Sequence, residues 1–375
     1  PPLIIEGRTF VPFRAIAEAL QVEVAWHEER QEVLAVGKGI EARLRIGSQR
    51  AYINGHPEAL DAPPVIIDNR TLIPLRFFSE AFGCKVEWLG HEAGVRIFSP
   101  PAEMTVIGFY ALGSGSASSW TNLFGVEYPS TGVGHTDLVR ELALGWYSLD
   151  EEGNLLTRSR TGWQRPSGWE KVLDAAQKYD LKTEMVIHEA DSEGIITSFL
   201  ANREAVQRAV QLIAAEAVLY DGVNLNLEGL GLTGTDEELK QLQENLNYFC
   251  RLLSLKLREA GKSLTLTLHP LNSSYRAYDY KALGEIADRI IVMAHDYGQR
   301  PEPLQLVEEA VKLAREKVSA EKLVLAISIP SENTESVLAK VSLAKRYGLE
   351  GISLWRLGII SEEIWEALKT AIQVK

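Results

Sequence analysis

The chain has few cysteines and no long apolar run. Cys84 and Cys250 are the only cysteines among 375 residues and lie in different halves, which excludes a disulfide framework and predicts two buried free thiols. The longest apolar runs, such as Ile290–Ala294, are far too short to cross a bilayer. The sequence starts at Pro1 without a methionine or an apolar leader. We interpret it as a fragment or processed form, so a missing signal peptide carries no information about targeting.

Positive charge is also scarce, because 39 lysines and arginines face 51 aspartates and glutamates, a formal net charge of −12. A nucleic-acid partner is therefore not expected, since such proteins need a basic surface to displace counterions. The same balance disfavours tight binding of anionic polymers through overall charge, although it says little about a local groove. The length predicts two domains. Nothing in the sequence indicates the oligomeric state.

An internal repeat opens the chain. Residues 4–26 read IIEGRTFVPFRAIAEALQVEVAW, and residues 66–88 read IIDNRTLIPLRFFSEAFGCKVEW. Self-similarity at a fixed period predicts two similar structural units that pack as pseudo-symmetric halves. An offset of 62 superposes Arg8 on Arg70, Thr9 on Thr71, Pro12 on Pro74, Arg14 on Arg76, Glu18 on Glu80 and Trp26 on Trp88.

Each unit has a simple physical interpretation. Gly7 or Asn69 turns a short hairpin, and Asn54-Gly55 predicts another hairpin between the units. An amphipathic helix and an alternating strand follow each proline. This pattern, over about the first 98 residues, resembles the copper amine oxidase N-terminal-like domain of bacterial cell-surface proteins. The resemblance implies a wall-associated binding or spacer module.

The histidines of this region do not suggest a metal site. His27, His56 and His91 are scattered without ligand spacing, and no cysteine pair accompanies them. We therefore expect surface histidines, no metal and no cofactor. Arg14 and Arg76 are expected to pair with nearby carboxylates rather than to bind a ligand.

Pro100-Pro101 marks a boundary, because two prolines continue neither a ladder nor a helix. We expect a small α+β domain over residues 1–100 and a second domain over 101–375. The second domain alternates short β-rich runs with helical patterns, which fits an α/β fold of the (β/α)₈ TIM-barrel type by size and order. A doubly wound sheet is the rival, but Gly113-Ser114-Gly115 is too weak a phosphate loop to support it. The predicted strands are residues 105–110, 141–147, 182–188, 222–228, 263–269, 289–295, 322–329 and 351–354.

The fourth predicted strand carries a polar row. Residues 220–228 read YDGVNLNLE, so Asn224, Asn226 and Glu228 share one face, with Glu228 at the carboxyl end where TIM-barrel sites form. This resembles the glycoside hydrolase family 18 signature Asp-x-x-Asp-x-Asp-x-Glu. Asp221 and Glu228 are retained, and asparagine occupies both middle positions. Without a function, the row would simply fill the barrel interior.

Two later segments extend the resemblance toward family 18 enzymes that attack spore-cortex and cell-wall peptidoglycan. Residues 275–298 resemble the fifth loop and sixth strand, with Met293, His295 and Asp296 at the Met-x-Tyr-Asp motif. Residues 351–358 resemble the eighth strand, whose Trp355 would floor a sugar subsite. The resemblance also implies Tyr297 and Tyr110 as substrate contacts.

In that family, the acetamide of the substrate attacks the anomeric carbon. Glu228 would be the acid, with a pKa raised by burial, and Asn226 would orient the acetamide without the charge of an aspartate. Asn224 and His295 would bind substrate. Only about 20 residues separate Ile329 from Gly351, too few for a walled cleft, so we expect an open groove.

The resemblance predicts an extracellular or envelope-associated hydrolase of N-acetylglucosamine-containing glycans, with peptidoglycan as the expected substrate. A lectin-like barrel that binds such glycans without cleaving them is the alternative from a different class. A chitinase would keep the mechanism and change the substrate. The sequence does not reveal which glycosidic bond is cleaved.

Overall fold

The computed structural model describes residues 3–20, 22–37, 39–89, 94–111, 117–158 and 162–374. The chain divides into two compact units, Pro1–Pro101 and Ala102–Lys375. Among the described residues, no helix combines the length and the apolar character that crossing a membrane requires.

The first unit contains eleven described strands and two short helices. Its strands are β1 Leu3–Ile5, β2 Arg8–Pro12, β3 Glu23–His27, β4 Glu32–Gly37, β5 Ile40–Arg45, β6 Arg50–Ile53, β7 His56–Ala59, β8 Val65–Ile67, β9 Arg70–Pro74, β10 Lys85–Leu89 and β11 Gly94–Phe98; its helices are α1 Phe13–Ala19 and α2 Leu75–Ala81. They form an antiparallel sheet β1-β2-β9-β8, a five-stranded meander β3 to β7 and the pair β10-β11.

The repeat is visible in the four-stranded sheet. The central strands β2 and β9, one from each repeat, pair antiparallel with Val11 opposite Ile73. The outer hairpins turn at the predicted places, where Gly7 and Asn69 have φ of 75° and 57° and relieve the strain of left-handed backbone. Trp26 packs on the edge of the core of this unit. The side chain of Trp88 lies outside the described residues, as does His91.

The ion pairs expected for Arg14 and Arg76 are not present among the described side chains. Both residues lie in the first turns of α1 and α2 and are exposed. No ion pair joins either guanidinium to a described carboxylate, so in this part of the chain the expectation is wrong. Both positive charges face solvent instead.

The second unit alternates strands and helices. Its strands are β12 Ala102–Tyr110, β13 Glu141–Leu149, β14 Leu155–Leu156, β15 Lys182–Ala190, β16 Gly222–Glu228, β17 Ser263–Leu268, β18 Arg289–Val292, β19 Leu323–Ser328, β20 Gly351–Trp355 and β21 Ile372–Val374. Its helices are α3 Ser119–Phe124, α4 Glu170–Lys178, α5 Ile195–Ala201, α6 Arg203–Glu216, α7 Asp236–Glu259, α8 Tyr280–Ile286, α9 Leu304–Arg315, α10 Thr334–Arg346 and α11 Glu362–Ala371.

Eight parallel strands close into a barrel, which confirms the predicted TIM-barrel fold. The order is β13-β15-β16-β17-β18-β19-β20-β12, and β12 pairs with β13 to close the ring. The larger apolar core lies between strands and helices. A smaller cluster that includes Phe109, Val186 and Met293 fills the barrel interior, as expected from alternation along each strand.

The sixth barrel strand is shorter than predicted. β18 ends at Val292, because the N–H groups of Ala294 and His295 donate to the carbonyls of Val292 and Met293 at 2.9 and 2.8 Å. These local turns end the hydrogen-bonded pairing of the strand before His295. His295 therefore lies in the loop above the barrel rather than on a strand.

A charged layer, which we call the polar floor, crosses the lower part of the barrel. The guanidinium of Arg289 contacts Glu141 at 2.6 Å, Glu350 at 3.0 Å and Glu184 at 3.7 Å. Burial raises the pKa of the Glu184 carboxyl, whereas the charge of Arg289 lowers it, and the net direction is upward. Buried charges need such partners because desolvation is costly.

Candidate active site

Glu228 lies at the carboxyl end of β16, at the mouth of the barrel. Two donors meet at its Oε1 atom: the amide Nδ2 of Asn226 at 2.8 Å and the imidazole Nε2 of His188 at 3.3 Å. His188 is on the neighbouring strand β15, where it pairs in register with Asn226. No described donor reaches Oε2 of Glu228, so that atom is available to a ligand.

The surroundings of Glu228 act on its pKa in opposite directions. Burial raises the pKa of the carboxyl, but the hydrogen bond and charge of His188, the charge of His269 and the hydrogen bond from Asn226 lower it. The net direction is downward, opposite to the raised pKa that burial alone would give and that would be useful for an acid. The cause is the imidazoles of His188 and His269, which lie beside the carboxyl and which the sequence did not place there.

Asn226 is 2% exposed, and its Oδ1 is a buried acceptor without a hydrogen-bond partner among the described residues. Because Nδ2 is engaged by Glu228, the amide orientation is set and Oδ1 remains to accept a hydrogen bond. Asn226 lines a pocket of about 250 Å³ inside the barrel mouth. A buried acceptor left open in a pocket is suited to a ligand N–H group.

The loop after β18 brings three predicted residues to the mouth. His295 Nδ1 lies 3.0 Å from Asp296 Oδ2. This hydrogen bond is the largest of the causes that act on the pKa of Asp296, and it lowers that pKa. The buried carboxylate of Glu302 accepts from the backbone N–H groups of Asp296 and Tyr297, both at 3.0 Å. The carboxylate of Glu302 thus fixes the backbone of the loop. The hydroxyl of Tyr297 donates to Asn272 Oδ1 at 2.9 Å.

Aromatic side chains form one wall of the small pocket. Trp355, at the end of β20, stacks on Trp163 with ring centroids 5.0 Å apart and 16° between the planes. Phe109 meets Trp355 edge-on at 5.3 Å. A Cβ atom at Gly145 would lie 2.3 Å from the Trp163 ring, so only glycine lets the indole lie against β13. Such a wall suits the apolar face of a pyranose.

A larger cleft of about 1140 Å³ adjoins the small pocket and shares Glu228, His295 and Asp296 with it. The cleft runs over the loops that follow the third to sixth barrel strands, with Asp191, Asn272 and Tyr275 among its lining residues. Between β19 and β20 the described chain has room for α10 and short connections. The long, open cleft accords with the groove expected from that spacing.

Asn224 lies below this pocket and does not reach it. It is 0% exposed, donates to Glu184 at 3.0 Å and accepts from Thr267 at 2.8 Å. Both ends of its amide are therefore used within the polar floor. The structure places Asn224 in a supporting position rather than the predicted substrate contact.

Two further predicted residues lie away from the pocket. Asp221 precedes β16 at the opposite end of the barrel, where its exposed carboxylate accepts from the N–H of Thr183 at 2.8 Å. Tyr110 is fully buried and packs edge-on against Trp146 at 6.4 Å. It faces the helices because Phe109 takes the inward direction on the same strand. Neither placement supports the predicted catalytic or substrate-binding role.

Several lining residues were not predicted from the sequence: His188, His269, Phe109 and Trp163. Alternation from Glu184 along β15 would have placed His188 on the inner face, beside the row that contains Glu228. Trp163 lies outside the helices and strands and has no periodic signal. Among the described residues, no group of three or more histidine, cysteine, aspartate or glutamate side chains is arranged to hold a metal ion.

Comparisons with known proteins agree with both units. Residues 1–97 match the family model "Copper amine oxidase N-terminal domain", which confirms the resemblance of the first unit. The cortical fragment-lytic enzyme of Bacillus anthracis is 26% identical and covers 28% of this chain. The chain spans 30% of the length of that curated relative.

Solved structures resemble the barrel. A chitinase from Chromobacterium violaceum superposes with a TM-score of 0.58 at 17% identity, covering 71% of this chain and 98% of that chain. The spore cortex-lytic enzyme SleL of Bacillus megaterium superposes with 0.59 at 14% identity, covering 76% and 78%. At these identities the likeness shows a common fold. Residues 1–97 are therefore similar to the copper amine oxidase N-terminal domain, and the second unit is a (β/α)₈ barrel with the fold of these chitinases and cortex-lytic enzymes.

Proposed function

We propose that this protein hydrolyses glycans that contain N-acetylglucosamine by a substrate-assisted, retaining mechanism of the glycoside hydrolase family 18 type. One observation carries the proposal. Glu228 presents a free Oε2 at the barrel mouth while its Oε1 is held by Asn226 and His188, and the open Oδ1 of Asn226 lies in the same pocket. An acid and an acceptor for an acetamide N–H are thus adjacent.

In the first step the acetamide oxygen of the sugar attacks C1 and the glycosidic C–O bond breaks. Glu228 donates its proton through Oε2 to the leaving oxygen, which departs as a hydroxyl. Asn226 Oδ1 accepts the acetamide N–H and orients the carbonyl toward C1. The positive charge that develops on the resulting oxazolinium ion faces the amide dipole of Asn226 and the carboxylate of Glu228.

In the second step water opens the oxazolinium ion. The Glu228 carboxylate removes a proton from the water as its oxygen bonds to C1, and the acetamide is restored. Both attacks occur at C1, on opposite faces, so the product retains the configuration. The stacked indoles of Trp163 and Trp355 exclude water from one side of the sugar, and Asp296 is oriented by His295 at the rim.

The substrate class we propose is cell-wall or spore-cortex peptidoglycan, outside the cell or in its envelope. A relative named cortical fragment-lytic enzyme and a similar structure named spore cortex-lytic enzyme support this choice over chitin. The open cleft beside Glu228 also suits a broad, branched glycan better than a single threaded chain. Chitin oligomers are the closest alternative substrate, because the similar folds include chitinases.

Digestion of purified peptidoglycan and of chitin oligomers, with mass analysis of the products, tests the proposal. We expect peptidoglycan fragments that end in reducing N-acetylglucosamine. Glu228→Gln should lower the rate by about 10²–10⁴-fold, because an amide cannot protonate the leaving oxygen, while glycan binding persists. Cleavage of chitin alone would make the protein a chitinase.

A binding role is the second candidate, and two observations favour it: asparagine stands at position 226, and the pKa of Glu228 is lowered by its neighbours. The asparagine provides less stabilisation of positive charge than an aspartate would, and the lowered pKa reduces the fraction of Glu228 in the acid form. If the wild-type protein binds glycan with unchanged Kd in Glu228→Gln and releases no product over long incubation, the lectin-like role replaces hydrolysis.

A further inference from the structure

A second cavity lies in the first unit and shares no lining residue with the two cavities at the barrel mouth. It is a groove of about 820 Å³ between the two repeats, which we call the Trp26 groove. The first repeat contributes the helix start and a strand, and the second contributes a hairpin. Arg14, Trp26, Ile66, Asn69 and Arg70 line it, and one carboxylate, that of Glu28, is set against the two arginine charges.

The groove combines an aromatic and apolar surface suited to a sugar with positive charges suited to an anion. Trp26 is half-buried and offers part of its indole, and Ile66 is 43% exposed. Arg14 and Arg70 are exposed, and neither makes an ion pair with a described side chain. Their guanidinium groups are therefore free to bind carboxylate or phosphate in a bidentate manner. Asn69 adds amide hydrogen-bonding groups to the same surface.

The catalytic cleft has the opposite character. Asp191, Glu228, Glu238 and Asp296 contribute carboxylates to it and to the adjoining pocket. No lysine or arginine is among the described residues that line either cavity. Anionic substituents of a wall glycan are thus repelled at the cleft and attracted at the Trp26 groove.

The repeat supports a polymeric ligand. The offset of 62 places Arg76, Trp88 and Arg8 at the positions equivalent to Arg14, Trp26 and Arg70. The recurrence of these residue types in the sequence fits a ligand whose charged unit also recurs.

We propose that the Trp26 groove binds a glycan strand that carries carboxylates, namely peptidoglycan with the free carboxylates of its stem peptides. The choice of a glycan rests on the proposed function, whereas the choice of an anion rests on Arg14 and Arg70. The first unit then holds the protein on the polymer while the barrel acts on uncharged sugars of the same strand.

Co-sedimentation of the full chain with insoluble peptidoglycan tests this. The assay uses Glu228→Gln protein, which prevents digestion, with saturating tetra-N-acetylchitotetraose to occupy the barrel cleft. The Arg14→Gln/Arg70→Gln pair should weaken binding at least tenfold. Arg45→Gln/Arg50→Gln is the matched control, because it removes two exposed charges of the same unit outside the groove and should bind as its parent does. Amidation of the peptidoglycan carboxylates should cause the same loss as the groove variant.

Three results would overturn the proposal: equal loss in both double variants, no effect of amidation, or tighter binding to a soluble teichoic acid than to peptidoglycan. In an otherwise wild-type chain, Arg14→Gln/Arg70→Gln should cleave short chitin oligomers at the parental rate and have an unchanged melting temperature. A protein that binds through the groove but cleaves no glycan would refute the proposed hydrolysis and leave the groove assignment intact.

Discussion

The imidazole Nε2 of His188 lies 3.3 Å from Oε1 of Glu228, the same oxygen that accepts the amide hydrogen bond of Asn226. This contact lowers the pKa of the carboxyl that the proposed mechanism uses as an acid. A lowered pKa confines the acid form of Glu228 to lower pH, so the proposed hydrolysis should be fastest in acid.

His188→Ala should move the basic limb of the kcat/KM profile to higher pH. Removing the hydrogen bond and charge of His188 raises the pKa of Glu228, so the acid form survives to a higher pH. A pH series of initial rates on chitin oligomers measures the shift. His56→Ala, at an exposed position of the first unit, is the control and should leave the profile in place. A limb that stays fixed or moves to lower pH in His188→Ala would refute this role.

Asn226→Asp should raise kcat by about tenfold or more, because a carboxylate stabilises the oxazolinium charge better than a neutral amide. The new negative charge also raises the pKa of Glu228, in the direction that favours its acid form. Single-turnover rates on a defined oligosaccharide provide the measurement. Asn226→Asp/Glu228→Gln should be inactive, and activity in that double variant would show that the gain does not pass through Glu228.

Gly145→Ala should lower kcat/KM by about 10–100-fold, because the added methyl group displaces Trp163 and with it the stack on Trp355. Steady-state kinetics together with Trp163→Ala and the double variant separate the cause. If the clash with Trp163 is responsible, the two substitutions are strongly non-additive. Simple additivity of the two effects would place the damage elsewhere.

Arg289→Leu should lower the free energy of unfolding of the barrel by about 3–5 kcal/mol, because it leaves the carboxylates of the polar floor buried without their cation. Urea denaturation followed by tryptophan fluorescence measures the loss. Lys256→Gln breaks an exposed ion pair with Glu259 and should cost less than about 0.5 kcal/mol. Equal losses in the two variants would contradict the role of the floor.

The barrel could be predicted from the sequence because its strands are short apolar runs at regular spacing, and the eight predicted positions match the eight observed. Strand alternation alone predicted that the side chain of Glu228 faces the barrel interior. The prediction that Tyr110 contacts substrate was wrong, because a shift of one residue along a strand reverses the face on which a side chain lies. The prediction that Asn224 contacts substrate was also wrong, because the depth of a side chain along the barrel axis is set by packing and not by a sequence pattern.

His188 and Trp163 show a different limit. Each acquires its meaning from a partner distant in the chain, Glu228 for the first and Trp355 for the second. Strand alternation indicates the inward face of His188 but not its partner, and no local signal marks Trp163. The repeat, in contrast, revealed the pseudo-symmetric sheet at once, because it is a pattern that the chain carries along its own length.

Within the described residues, no side-chain hydrogen bond joins the polar floor around Asn224 to the layer above it that contains Asn226, Glu228 and His188. The lower layer contributes to the integrity of the barrel, and the upper layer contributes its chemistry. Descendants of such a protein can therefore exchange residues of the upper layer without unfolding. Substitutions confined to the upper layer should thus change the balance between hydrolysis and glycan binding while the floor, and with it the fold, stays intact.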